Sequence, residues 1–144
     1  MAVAREVKEI EEVKEVKEKI GRSGPVKTYG DLLVYQQAYR LALDVSQISK
    51  VLPRHEQFEL GRQLRRSARS IPANIVEGWT KRNSAADFKR HLLIASGEVA
   101  ETRFWIELAI AEGILPGERA RKLMQEYSKL GFMIHNLWKE WRKL

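Results

Sequence analysis

Few side chains in this sequence are spaced to do covalent chemistry. The three histidines, His55, His91 and His135, are scattered along the chain. None has a partner at the spacing of a metal site or a catalytic triad, and each reads as a surface or boundary residue. Glu98-Val-Ala-Glu101 places two carboxylates on one helical face, but a carboxylate-bridged metal centre in a helical bundle needs Glu-x-x-His from two helices. Asn74 and Glu77 can either join Glu98 and Glu101 as a polar layer or satisfy the backbone group that the nearby Pro72 frees. Ser67, Ser70 and Ser96 lack a visible general base, no glycine-rich phosphate loop is present, and the chain has no cysteine. The expectation is a protein without catalytic residues, metal or cofactor.

The chemistry that remains is electrostatic. The stretch Arg62 to Gly78, RQLRRSARSIPANIVEG, read as a helix at about 100° per residue, places Leu60, Leu64, Ala68, Ile71 and Ile75 on one side. Arg62, Arg65, Arg66 and Arg69 fall on a roughly opposite arc. With Lys81, Arg82, Lys89 and Arg90 they make eight bases against Glu77 and Asp87, a local excess of +6 in a chain whose net charge is +7 and whose pI is near 9.8. Such a concentration suits an acidic partner, above all nucleic acid contacted through phosphates. Nothing in the pattern reads base identity, so charge and shape are the expected basis of binding, with structured RNA or RNA/DNA as the ligand. A membrane is a poor alternative because the arginines lie opposite a face that the core requires.

The elements that must carry these residues are helical. At 144 residues, with 44% hydrophobic and 31% charged residues, the chain fits one domain. No apolar run approaches the roughly 20 residues that span a bilayer, and the amino-terminal residues show no secretory signal. A cytoplasmic location is expected. Residues 1–24 balance six acids against six bases in a charged, low-complexity extension whose stripe, Val3, Val7, Ile10, Val13, Val16 and Ile20, predicts a narrow helix that either finds a partner surface or stays disordered. Gly21, Gly24 and Pro25 then mark a linker, and residues 25–144 form the main domain.

In that domain, Asp31 is the expected N-cap of a first helix reaching Leu52, with Val34, Ala38, Leu41, Val45, Ile48 and Leu52 inward. A second helix is predicted over 56–77, kinked near Arg69 by Pro72, with Gly78 as its left-handed C′ residue and WTKRN as a loop. Ser84 and Asp87 open a third helix lined by Phe88, Leu92, Ala95, Val99, Thr102, Ile106 and Ala109 and ended by Gly113. A fourth begins near Pro116 and carries Leu123, Tyr127, Leu130, Ile134, Leu137 and Trp141. The predicted fold is an all-α, antiparallel up-down-up-down four-helix bundle. Leu93, Phe104, Trp105, Leu108, Met124 and Trp138 lie off these stripes, either widening the core or serving self-association.

The run Ser70-Ile-Pro-Ala-Asn-Ile-Val-Glu-Gly78, preceded by Gln63-Leu-Arg-Arg-Ser-Ala68 and Asp31-Leu-Leu-Val-Tyr-Gln-Gln-Ala38, resembles the bacterial four-helix-bundle proteins encoded in intervening sequences of 23S rRNA genes. Phe88-Lys-Arg-His-Leu-Leu-Ile-Ala95 and Gly97-Glu-Val-Ala-Glu101 are similar to that family's third helix, so the resemblance covers about residues 29–140. It implies a cytoplasmic homo-oligomer, typically a pentamer, with a basic surface. A related branch is the accessory variability determinant of diversity-generating retroelements, which implies binding to nucleic acid and to a partner reverse transcriptase. Residues 1–24 depart from the family pattern. The expected function is therefore a non-enzymatic, homo-oligomeric nucleic-acid-binding bundle, and the alternative is a scaffold or accessory subunit for a nucleic-acid enzyme such as a reverse transcriptase.

Overall fold

A computed structural model describes residues 26–142; the helix predicted within residues 3–20 lies outside them. A 3-10 turn, Tyr29–Asp31, leads into α1 (Leu33–Ser49), followed by a one-turn α2 (Arg54–Phe58), α3 (Leu60–Thr80), α4 (Ala85–Ala111) and α5 (Gly117–Glu140). No strand occurs among the described residues. The four long helices form an all-α bundle in which α3 packs most extensively on α4, α4 on α5, and α1 on both α3 and α5. Because each predicted stripe repeats at three and four residues, each helix turns one continuous apolar face inward. Every residue named on the four stripes is buried.

Helix ends follow local chemistry. The Ser84 hydroxyl accepts from the Asp87 N–H at 3.2 Å and caps α4, satisfying one of the four unpaired donors of a helix start. Gly113, at φ 71°, closes the other end, a conformation that costs glycine nothing. Pro116 directly precedes the first residue of α5.

Four boundaries differ from expectation. Helix α1 ends at Ser49 rather than reaching Leu52, because the Val51 and Leu52 N–H groups bond to carbonyls three residues back and tighten the chain into turns before Pro53. Asp31 does not cap α1, whose N-cap is Leu32; its carboxylate instead accepts from the Lys27 and Thr28 N–H groups at 2.9 and 3.0 Å and closes the turn before the helix. The second predicted helix is divided at Glu59 (φ −85°, ψ −82°), while the chain runs helically through Pro72 from Leu60 to Thr80. The division folds α2 back over the first turn of α3, where a Cβ on Gly61 would meet the Glu56 carbonyl oxygen at 3.3 Å and Leu52 Cδ1 at 3.4 Å. Gly78 is not a C′ residue: it is buried inside α3, and Trp79, expected in a loop, is helical and 5% exposed. Trp79 joins Phe88 and Trp141 in an edge-to-face cluster, with Phe88 and Trp141 ring centroids 4.5 Å apart, and that apolar anchorage carries α3 past the glycine.

Candidate nucleic-acid interface

Helix α3 presents its arginines in three directions. Arg65, half-buried, donates from Nη1 to Ser49 Oγ at 3.2 Å and from Nη2 to the Gln57 carbonyl at 3.0 Å, tying α1, α2 and α3 together. Arg66 turns the other way and pairs with Glu101, and its Nη1 lies 3.6 Å from Glu98 Oε2. Arg62 and Arg69, seven residues apart, point between these flanks into solvent and pair with none of the described residues. Two of the four predicted contacts are thus committed to the fold, and two are open.

The carboxylates of α4 explain where Arg66 goes. Its hydrogen bond holds the Glu101 carboxyl below the usual range, aided by Trp105 Nε1, which donates to Glu101 at 3.3 Å. Glu98 is pushed the other way, because burial outweighs its weaker pairing with Arg66. The polar layer with Asn74 and Glu77 does not form. Glu77 is exposed beside Lys81 Nζ at 3.4 Å, and Asn74 Nδ2 donates to the Ser70 carbonyl at 2.9 Å, not to the Ala68 carbonyl that Pro72 leaves free.

Asn74 has a second partner that sequence reasoning missed. Its Oδ1 lies 3.4 Å from His91 Nδ1, and His91 Nε2 lies 3.3 Å from Lys81 Nζ. A single tautomer satisfies both contacts: Nδ1–H donates to Asn74, and Nε2 accepts from the lysine ammonium. His91 is therefore not a boundary residue but 4% exposed in the α3–α4 seam. Beneath it sits Gly78, where an added Cβ would lie 2.7 Å from His91 Cβ and 3.0 Å from Phe88 Cδ2. Only a glycine lets the two backbones approach this closely. Farther along the seam, the Thr102 hydroxyl donates to Ser67 Oγ at 2.8 Å in the buried core.

The sequence pattern of the 23S rRNA-intervening sequence protein family matches residues 30–136. The chain belongs to that family. A similar fold occurs in the 1.70 Å crystal structure of a protein of unknown function from the S23 ribosomal protein family of Bacteroides thetaiotaomicron VPI-5482. The two share 28% identity with a TM-score of 0.68, over 74% of this chain and 96% of that one. No curated protein matches the sequence. For this family member, the Ser70 to Gly78 run is a helix-docking element, since Asn74 and Gly78 both engage His91 across the seam.

The remaining predicted site residues surround the start of α4. Arg90 is exposed and pairs with none of the described residues. Lys89 Nζ lies 5.5 Å from the Trp138 ring centroid. The Arg82 guanidinium stacks 4.3 Å over Trp79 and donates to its carbonyl at 3.0 Å, and Lys81 is held by Glu77 and His91. His135 stacks on Trp138, and exposed His55 has Glu56 Oε1 at 3.7 Å. Among the described residues no group of His, Asp or Glu side chains is gathered to hold a metal ion, and no helix is long and apolar enough to cross a membrane.

Proposed function

We propose that this protein is a non-enzymatic, homo-oligomeric bundle that binds structured RNA or RNA/DNA through the outer face of α3, by charge and shape. The observation that carries the reading is the pair Arg62 and Arg69, exposed and unpaired among the described residues, while their neighbours Arg65 and Arg66 are held by the fold. Two cations left open on a helix surrounded by satisfied ones suit phosphate contacts. Arg90 extends this surface, and Arg65 and Arg82, held by neutral groups, add positive potential from their fixed positions. Arg66 and Lys81 are neutralised by Glu101 and Glu77, and Lys89 lies over Trp138 on the flank facing α5.

The assembly we propose is the pentamer that family resemblance implies. Support comes from the outer face of α4, where Leu93, Ile94 and Phe104 are 54%, 41% and 52% exposed, with Gly97 and Ala100 between them. A contiguous apolar face of this kind marks an interaction surface, and repetition of the arginine pair around a ring gives avidity. The same face favours a second reading, an accessory scaffold that docks a nucleic-acid enzyme such as a reverse transcriptase.

Titration of RNA binding against salt tests the first reading. Arg62→Gln with Arg69→Gln lowers the slope of log affinity against log salt by about 1.4–1.8, about 0.7–0.9 for each lost phosphate contact. An unchanged slope in a folded variant overturns the assignment of this face. Light scattering of Phe104→Arg reports the assembly: retention of the wild-type mass removes α4 from the interface.

A further inference from the structure

Beside the open arginines runs a row of aromatic rings. Tyr29 packs edge-on to Tyr35 with centroids 4.9 Å apart, and Tyr35 lies 5.9 Å from Tyr39 at a tilt of 38°. Tyr29 is 38% exposed and Tyr39 52% exposed, with Tyr35 half-buried between them. Burial together with the two flanking phenols raises the Tyr35 hydroxyl above the usual tyrosine range, as three rings sharing one strip require. Tyr35 rests its ring on the edge of the core, and its two neighbours stand out from it. Tyr29 and Tyr39 face solvent on either side of it.

The bond from Arg65 to Ser49 fixes how this row stands against α3. From that contact the two helices run antiparallel, so ten residues along, Tyr39 is level with Ile75, and four further, Tyr35 is level with Trp79. At about 1.5 Å per residue, Arg69 lies about 9 Å farther along the groove from Tyr39, and Arg62 about 20 Å. Around the helix axes, Tyr39 is turned outward from Ser49 by about 80°, and Arg69 and Arg62 outward from Arg65 by about 40° and 60°. The tyrosines and the open arginines therefore border one groove.

Among the described residues, neither helix turns a carboxylate into that groove, and the Asp31 carboxylate, in the same turn as Tyr29, accepts from the Lys27 and Thr28 N–H groups. Asp44, the one carboxylate of α1, is bound to Arg40 at 3.3 Å on the flank facing α5, where Arg40 also pairs with Glu126. Glu77, the one carboxylate of α3, sits beside Lys81 on the flank facing α4.

We infer that the α1–α3 groove binds single-stranded RNA, with unpaired bases stacked on Tyr29, Tyr35 and Tyr39 and the following phosphates held by Arg69 and Arg62. This deepens the proposed function and rests on it, since it assigns the arginine face its ligand class. Bases stack on aromatic rings irrespective of identity, and an adjoining cationic track holds the backbone. Structured RNA offers such unpaired segments in its loops and ends.

The test is fluorescence anisotropy with an oligouridylate, the matching duplex and an abasic strand of equal length. Tyr39→Ala weakens oligouridylate binding about five- to a hundredfold, the loss of one stacked base, while the salt slope stays that of the wild type. Tyr39→Phe retains the affinity, and abasic-strand binding is indifferent to both changes. Arg62→Gln with Arg69→Gln lowers the slope by about 1.4. If the arginine variant lowers the slope but Tyr39→Ala binds oligouridylate like the wild type, the stacking row is overturned and the arginine face stands. A wild-type protein that binds none of the three probes overturns both. Because Tyr39 is exposed, an unchanged melting curve confirms that its variants are folded.

Discussion

Replacing Gly78 with alanine adds one methyl group at the tightest point of the α3–α4 seam. The new Cβ would stand 2.7 Å from His91 Cβ and 3.0 Å from Phe88 Cδ2, against an ordinary carbon contact of about 3.5–4.0 Å. Neither neighbour can swing away, since one is fixed to the backbone of α4 and the other is a fully buried ring. The helices must separate, and the contacts of His91 with Asn74 and Lys81, already 3.4 and 3.3 Å, lengthen with them. Overpacking costs about 1–3 kcal/mol, and the better helix propensity of alanine returns up to about 1 kcal/mol. With both neighbours rigid, the net loss should lie near about 2 kcal/mol, a fall in Tm of roughly 5–10 °C.

Gly97, in the middle of α4 with nothing of its own subunit within 4 Å of an added Cβ, supplies the control when all variants are compared in the Phe104→Arg background, which keeps the proposed α4 interface apart. Gly97→Ala should stabilise by about 0.5–1 kcal/mol. His91→Ala should not rescue Gly78→Ala, because the obstructing atom is the Cβ that alanine keeps. Thermal melts followed by circular dichroism and urea titrations measure all three. If Gly78→Ala raises Tm as Gly97→Ala does, the close approach at this seam is wrong, and so is the docking role assigned to the Ser70 to Gly78 run.

Two further predictions concern buried and paired polar groups. Tyr127 is fully buried, and its hydroxyl has no hydrogen-bond partner among the described residues; Tyr127→Phe should therefore be neutral or stabilising by up to about 1 kcal/mol in urea unfolding. Burial also drives the Tyr127 hydroxyl upward, so its ultraviolet titration should appear only when strong alkali unfolds the protein. Glu101 and Glu98 should respond to pH with opposite sign. The lowered carboxyl of Glu101 gives stability that is present above its unfolded value and is lost as pH falls through the folded one. The raised carboxyl of Glu98 gives stability present in acid and lost as pH rises through its folded value. At neutral pH Glu101→Gln should cost roughly 0.5–1 kcal/mol, a pair this exposed being worth little more. Glu98→Gln should cost nothing or stabilise, and equal losses in denaturant melts at neutral pH would refute the assignment.

Much of the bundle was legible in the chain because burial of a helix is periodic. Steps of three and four place Phe88, Leu92, Ala95 and Val99 on one side whatever lies opposite, and each is buried. Ser84 and Gly113 act through their own backbone neighbours, so their roles also follow from local sequence. The concentration of positive charge over residues 62–91, and the run that resembles the family, could likewise be read before any fold was known.

Tertiary structure decided which of those charges are open. Arg66 and Glu101 are 35 residues apart, and so are Ser67 and Thr102; no helical period relates them, and only the docking of α3 on α4 brings them together. The four arginines look equivalent on a wheel, yet Arg65 serves Ser49 and Gln57, Arg66 serves Glu98 and Glu101, and Arg62 and Arg69 are left to solvent. Gly78 looked like a helix stop because glycine ends many helices, but the backbone it accommodates belongs to another helix. The tyrosine row was silent for the same reason. Its neighbours Arg69 and Arg62 become neighbours only when α1 and α3 pack antiparallel.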